Sequence, residues 1–205
     1  MPDTISFWAL ALFVAFLVGL AKGGLPLLGQ LPVPLLSLVM APGAAAGLIL
    51  PIYNISDIYG LWIYRREFSK RNLLILIPAG ALGIFVGWAT AHITNEDVVK
   101  LFVALIGIAY CLDAITKAWR VVPTKPADLP RGIFWGAVAG FTSFVSHSGW
   151  PPINMYVLPQ QLHNMVYAGT STFVFACLNS MKCPPSIDLG QDSSTLVKNG
   201  LWLIP

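Results

Sequence analysis

The sequence predicts an all-α fold: a polytopic transmembrane helical bundle made of two inverted repeats, each containing a helix pair broken by Gly and Pro. Three observations predict it. The 205 residues are 56% hydrophobic and 10% charged, whereas soluble domains carry about 25% charged residues and must keep a largely polar surface. Several apolar stretches have the length that crosses a bilayer. The stretches that are too short are interrupted at two places in the chain, in the same order.

Taken in order, apolar segments run over 5–21, 25–40, 43–64, 72–91, 97–119, 132–146, 150–161 and 165–181, and a last one opens near 194. No Lys or Arg precedes the first, so it reads as a retained helix and not as a cleaved signal peptide. The segments 43–64, 72–91 and 97–119 are each about 20 residues, enough to cross a hydrocarbon layer of about 30 Å. The pairs 5–21/25–40 and 132–146/150–161 are short and split, the first inside "GLAKGGLPLLGQLPVPLLSL" and the second inside "SHSGWPP". The last segment stops at Pro205 after about 12 residues, too few to span, and the expectation is a chain truncated at its C-terminus. The whole of 1–205 reads as one transmembrane domain, with a first repeat over 5–119 and an incomplete second over 132–205.

Loop charge orients the crossings. "YRREFSKRN" places Arg65, Arg66, Lys70 and Arg71 in one short connection, and Lys117, Arg120, Lys125 and Arg131 make another basic one. Between them "AHITNED" holds neither Lys nor Arg. Cytoplasmic loops collect Lys and Arg, so 65–71 and 120–131 are predicted to face the cytoplasm and 92–97 the outside.

The repeat emerges when the sequence is slid against itself by about 122 residues. Residues 44–57 then lie over 166–179, with Gly47 on Gly169 and Asp57 on Asn179, while Gly19 meets the Gly140/Phe141 step. An odd number of crossings between the copies inverts the second, and Arg65–Arg66 maps onto the non-basic Ile187–Asp188. Matched broken helices in inverted halves point to a binding site near the bilayer midplane. Backbone freed by Gly and Pro is intolerable against lipid but acceptable beside a watery cavity. A new helix start inside the membrane offers unpaired amides and about half a positive charge, which suits an anion.

These stretches carry a resemblance. "FLVGLAKGGLPLLGQLPVPLLSL", "LPIYNISDIYGLWIYRREF" and "GFTSFVSHSGWPPINMYVLPQQLHNMVYAGTSTFVFACLN" resemble the sulfite exporter TauE/SafE family of bacterial membrane proteins over essentially the whole chain. The run Asp57–Gly60–Tyr64–Arg65–Arg66 and the paired breaks carry most of the likeness. The resemblance implies a multi-pass protein of the bacterial inner membrane that transports small anions such as sulfite or organosulfonates. Two departures stand out: the first break is poorer in Gly than is usual, and members generally run longer.

Candidate site residues follow from position. Lys22, Gly23 and Gly24 occupy the first break, and Ser146, His147 and Gly149 the second; together they are expected to line the anion site. Lys22 could add a full charge there, or simply snorkel to the headgroups. Asp57 lies about 12 Å in from Arg65 along a helix, with Asn54 one turn before it, and a carboxylate that deep is read as functional. A fixed negative charge would repel the anion, so Asp57 is expected to take part in proton or ion coupling, with Asn179 as its counterpart; the alternative is a hydrogen bond that pairs helices. His147 titrates near neutral pH and could donate to an oxoanion. Thr170, Ser171 and Thr172 could supply neutral hydrogen bonds, although such residues often bond their own backbone. Cys111, Cys177 and Cys183 read as small packing residues.

The net charge of +3 is too small and scattered for nucleic acid. There is no HExxH, Walker or GxSxG motif, so no enzyme, cofactor or metal site is expected, and active transport would draw on an ion gradient. The expected partners are a small inorganic or organic anion and the lipid bilayer, and assembly of several copies is compatible with the sequence. The rival readings are an uncoupled anion channel and a truncated, non-transporting membrane protein.

Overall fold

The computed structural model describes residues 5–22, 28, 31–36, 38–39, 42–91, 105, 108–109, 112, 115–116, 124–146 and 148–188. Every extended element among them is helical. The order is α1 (Ile5–Lys22), α2 (Pro32–Leu36), α3 (Pro42–Ile63), α4 (Lys70–Thr90), α5 (Leu129–Ser146), α6 (Trp150–Val157), a 3-10 turn (Leu158–Gln160) and α7 (Asn164–Asp188). The expected segments 5–21, 43–64 and 72–91 thus appear as α1, α3 and α4, shifted by a residue or two. Two bounds differ more. Only Pro32–Leu36 of the segment 25–40 is described as α-helix, and α7 runs to Asp188 instead of ending at 181. It carries through Pro184 and Pro185, as membrane helices can when other groups satisfy the freed carbonyls. The segment 97–119 is described only at Leu105, Ile108, Ala109, Leu112, Ile115 and Thr116, each helical.

The chain divides into two compact units, 1–63 with 175–205, and 64–174. In the first unit, Ala11, Val14, Ala15 and Val18 recur at helical spacing along α1 and meet Val33 and Leu36 of α2 and Ala45, Leu48, Ile49, Ile52 and Tyr53 of α3. The opposite faces are just as apolar yet exposed: Leu12, Phe13 and Phe16 on α1, and Ile58, Tyr59 and Trp62 on α3.

The second unit is built on α4 against α5. Gly132, Gly136 and Gly140 recur every fourth residue on α5. Gly140 meets Gly80 of α4, Gly136 lies against Leu76 and Ala79, and Gly132 against Ile75 and Tyr156. Gly83 and Gly87 of α4 lie against Ala137, Phe141 and Phe144. A methyl group on Gly140 would overlap the Gly80 backbone carbonyl, and one on Gly83 the Ala137 carbonyl. Small residues at this period let helices approach to backbone contact, which is how helices associate where lipid removes the hydrophobic drive. Ser69 caps α4, its hydroxyl accepting from the Asn72 N–H at 3.4 Å. Among the described residues α4 is the helix long and apolar enough to cross a membrane, by length and composition. Its outer face exposes Leu74 (77%), Leu82 and Phe85.

Polarity is therefore inverted relative to a soluble protein. Large apolar side chains lie outside, while Asp57, Asn72, Asn154, Gln160, Asn179 and Lys182 are buried. Water would penalise that arrangement on both counts, and hydrocarbon favours it.

Candidate functional site

Two polar assemblies occupy these units, one in each. In the second unit the site is the break between α5 and α6. The chain leaves α5 at Ser146, and the Ser148 N–H bonds back to the Thr142 carbonyl at 3.3 Å. Gly149 then caps α6, with Pro151 and Pro152 in its first turn. The return limb is α6 plus the 3-10 turn, about 18 Å at ordinary rises, too short to cross. Its far end meets the segment before α5: the Lys125 N–H donates to the Pro159 carbonyl at 2.9 Å and the Thr124 hydroxyl to Gln161 Oε1 at 2.8 Å. Gln161, at φ 50°, then turns the chain into α7. Asn72 at the start of α4 reaches the same place, donating to Gln160 Oε1 at 2.8 Å. The two basic connections thus meet at one end of the unit, and the break lies at depth from it.

Around that break, α7 contributes Tyr167, whose hydroxyl donates to Asn154 Oδ1 at 2.6 Å and whose ring lies 6.4 Å from that of Trp150. One turn on, Ser171 shares this face, and its hydroxyl is buried without a hydrogen-bond partner. Thr170 faces elsewhere and accepts from the Ser69 N–H at 2.9 Å. Prolines at the start of α6 supply no N–H, and the Ile153 N–H is taken by the Gly149 carbonyl at 3.4 Å. This helix start therefore keeps its dipole but offers fewer amides than a bare terminus would.

In the first unit the site is the crossing of α3 and α7. Asn179 Nδ2 donates to Asp57 Oδ2 at 2.6 Å, and Asn54 Nδ2 donates to Cys183 Sγ at 3.4 Å. Three residues back along α3 corresponds to four forward along α7, so the helices run antiparallel. Cys183 also donates to the Asn179 carbonyl at 3.6 Å. Asp57 is 2% and Asn179 5% exposed. Lys182, one turn past Asn179, is 1% exposed.

Of the residues expected to form the site, Asn54, Asp57 and Asn179 are brought together, and Gly149 stands buried at the start of α6. Gly23, Gly24 and His147 lie outside the described residues, as do the side chains of Lys22, which ends α1, and Ser146, which ends α5. Asp57 makes a helix-pairing hydrogen bond. Cys183 proves to be more than packing, since it takes part in the crossing. Lys182, Asn154 and Tyr167 were not among the expected residues; the sole sequence signal for Lys182 was a basic residue three after Asn179 on an apolar helix.

A family model described as sulfite exporter TauE/SafE matches residues 7–197. The chain belongs to that family. Neither curated proteins nor solved structures gave a match. Membership in the TauE/SafE family makes this an integral membrane protein of a transport family, which accounts for the inverted polarity of both units. It also places the buried ionisable residues Asp57 and Lys182 in a membrane protein, where such groups are costly and are candidates for function.

Proposed function

We propose that the chain is a secondary transporter of sulfite, an organosulfonate or a related oxoanion across the bacterial inner membrane, which it crosses several times. The anion is held at the two breaks, by Lys22, Gly23 and Gly24 in one repeat and by Ser146, His147 and Gly149 in the other. Asn54, Asp57 and Asn179 lie behind them as the coupling site, and an ion gradient drives the cycle. One half rocks against the other to alternate access.

The observation that carries this reading is the Asp57–Asn179 hydrogen bond. Its partners are 122 residues apart, the same separation as the starts of α3 and α7 at Pro42 and Asn164 and the offset at which the sequence repeats. Equivalent residues of two inverted copies touch only near the two-fold axis that relates them. Antiparallel α3 and α7 meeting at an equivalent pair is the arrangement such an axis requires, and in transporters of this design the axis lies in the membrane plane with the solute site beside it. The amide supply at α6, reduced by Pro151 and Pro152, shifts more of the anion's coordination to side chains such as Ser171, Ser146 and His147.

Purified protein in proteoliposomes, loaded with sulfite on one side under an imposed proton gradient, tests the reading. Accumulation of sulfite against its own gradient is expected. Flux that only dissipates the gradient would make it a channel, and no flux from folded protein would leave a non-transporting membrane protein.

A further inference from the structure

We infer that Lys182 is the cation that binds the transported anion, that Asp57 is its counter-ion in the empty site, and that each anion bound there brings one proton onto Asp57. The inference rests on the reading of the chain as an anion carrier with Asp57 in its coupling site, and adds to that site a residue outside it, Lys182.

Burial is the first argument. Among residues whose side chains are described, Lys182 is the one buried Lys or Arg, and Asp57 the one buried carboxylate. Arg65, Arg66, Lys70, Arg71 and Lys125 are exposed, as basic residues at a membrane surface should be. Lys182 does not snorkel: at 1% exposure its ammonium stays inside the unit. An ammonium or a carboxylate in an apolar interior is costly unless an opposite charge compensates it.

Placement is the second argument. Asn179 and Lys182 are three residues apart on α7, on one face of the helix. Helical side chains lean toward the preceding turn, which carries Lys182 back over Asn179, and Asn179 already donates to Asp57 Oδ2 at 2.6 Å. The amide N–H marks Asp57 as an acceptor on that oxygen, so the carboxylate can hold its charge there. The other titratable groups near the pair are Tyr53, one turn before Asp57, and Cys177 and Cys183 on α7. α2 carries no titratable residue, and α1 carries Lys22. None of Tyr53, Cys177 and Cys183 is an obligate charge, so among the described side chains the two formal charges of the crossing are Asp57 and Lys182.

Charge balance then dictates the coupling. The empty crossing holds one negative and one positive group and is neutral. An anion that displaces Asp57 from the ammonium leaves a net negative charge in a low-dielectric interior, where like charges repel strongly. Protonation of Asp57 removes that charge: the carboxylate takes a proton from the water that admits the anion, the ammonium pairs with the anion, and Asn179 turns its hydrogen bond to the neutral acid. Release reverses both steps, so proton and anion leave together.

Calorimetry on the purified full chain in detergent, with sulfite as the probe in two buffers of different ionisation enthalpy, counts protons taken up per sulfite. Asp57→Asn is expected to bind sulfite with one proton fewer than the wild type. The difference is free of sulfite's own titration, which is common to both. Lys182→Gln is expected to lose at least about tenfold in affinity, as removal of a charge-assisted contact requires. Should Lys182→Gln prove unstable, the double variant Asp57→Asn/Lys182→Gln, which removes both charges, is expected to recover the wild-type melting temperature while binding no sulfite. Unchanged affinity in Lys182→Gln or in the double variant, or an unchanged proton count in Asp57→Asn, overturns the assignment and leaves anion transport standing. A wild-type protein that binds neither sulfite nor sulfonates overturns the carrier reading and this inference with it.

Discussion

The α4–α5 seam and the α3–α7 crossing both bring two helices together without help from water, and they do it by opposite means. The seam removes side chains. Gly80 and Gly140 meet backbone to backbone, with Gly83, Gly87, Gly132 and Gly136 extending the contact along the helices. Its stability comes from dispersion between closely apposed main chains, which no change of pH or solute can switch off. The crossing instead inserts polar groups, Asp57, Asn179, Asn54, Cys183 and Lys182, into an apolar surrounding. Its bonds are polar, and other polar groups can compete for them. The difference separates a fixed seam from a polar contact: the seam holds one unit in a single arrangement, whereas the crossing is where the proposed transport cycle would act.

The sharpest way to break that comparison is to put a side chain into the seam. Gly140→Leu has no space, because even a methyl group overlaps the Gly80 carbonyl. Overpacking of this kind costs about 1–3 kcal/mol per site in adaptable cores, and more where the obstruction is main chain that cannot turn aside. The expected result is loss of folded, monodisperse protein on size-exclusion chromatography. Gly19→Leu is the control. Among the described residues nothing lies within 4 Å of a β-carbon there, so this variant should fold, and Gly19→Ala should gain about 0.5–1 kcal/mol from helix propensity. Equal effects at Gly19 and Gly140 would remove the seam's claim to be the frame.

Much of this was legible in the sequence, and the residues show why some was not. Apolar length marked α1, α3 and α4, because a bilayer sets a helix length that composition alone reveals. The second break was legible through Gly149, Pro151 and Pro152. The Asp57–Asn179 pair was reachable too, since a sequence repeat aligns residues that a two-fold can bring into contact. The glycine seam was not read from the sequence although Gly132, Gly136 and Gly140 stand at a plain four-residue period, because glycine both breaks helices and lets them pack closely, and period alone does not say which. Lys182 was passed over for a different reason. A lone lysine near a helix end ordinarily snorkels, and only coordinates show that this one stays inside. The Asn72–Gln160 pair joins positions 88 residues apart, outside the repeat, and no local pattern announces it.

A smaller effect, aimed at the crossing, is expected from Asn179→Leu. The substitution keeps the volume roughly constant but leaves Asp57, at 2% exposure, without its 2.6 Å donor. Taking one donor from a buried carboxylate costs about 1–3 kcal/mol. On the proposed pairing, Asp57→Asn in the same background would leave the buried Lys182 uncompensated and should recover none of the loss. Thermal unfolding of the single and double variants in detergent measures both. If Asn179→Leu melts with the wild type, the amide contributes nothing and the crossing is held by its apolar neighbours.

The smallest effect belongs to the outer bond of the crossing. Cys183 Sγ accepts from Asn54 at 3.4 Å and donates to the Asn179 carbonyl at 3.6 Å, and sulfur is weak in both roles. Cys183→Ser replaces it with a better donor and acceptor of smaller radius, so shorter bonds must be offset against a slight gap in packing. The two terms oppose each other, and the melting temperature should move by no more than about 0.5 kcal/mol would produce. Cys183→Val keeps the packing and deletes both bonds, stranding the Asn54 amide; because Asn54 is only half-buried, the loss should stay near about 1 kcal/mol. Asp57 and Asn179 would remain paired in either variant. Sulfite flux should therefore persist in both, which separates the outer bond, as a fastening, from the inner pair, to which the proposed cycle assigns the coupling. A loss of flux in folded Cys183→Ser would show that the two bonds act as one unit and that the division between fixed and switchable parts runs elsewhere in α7.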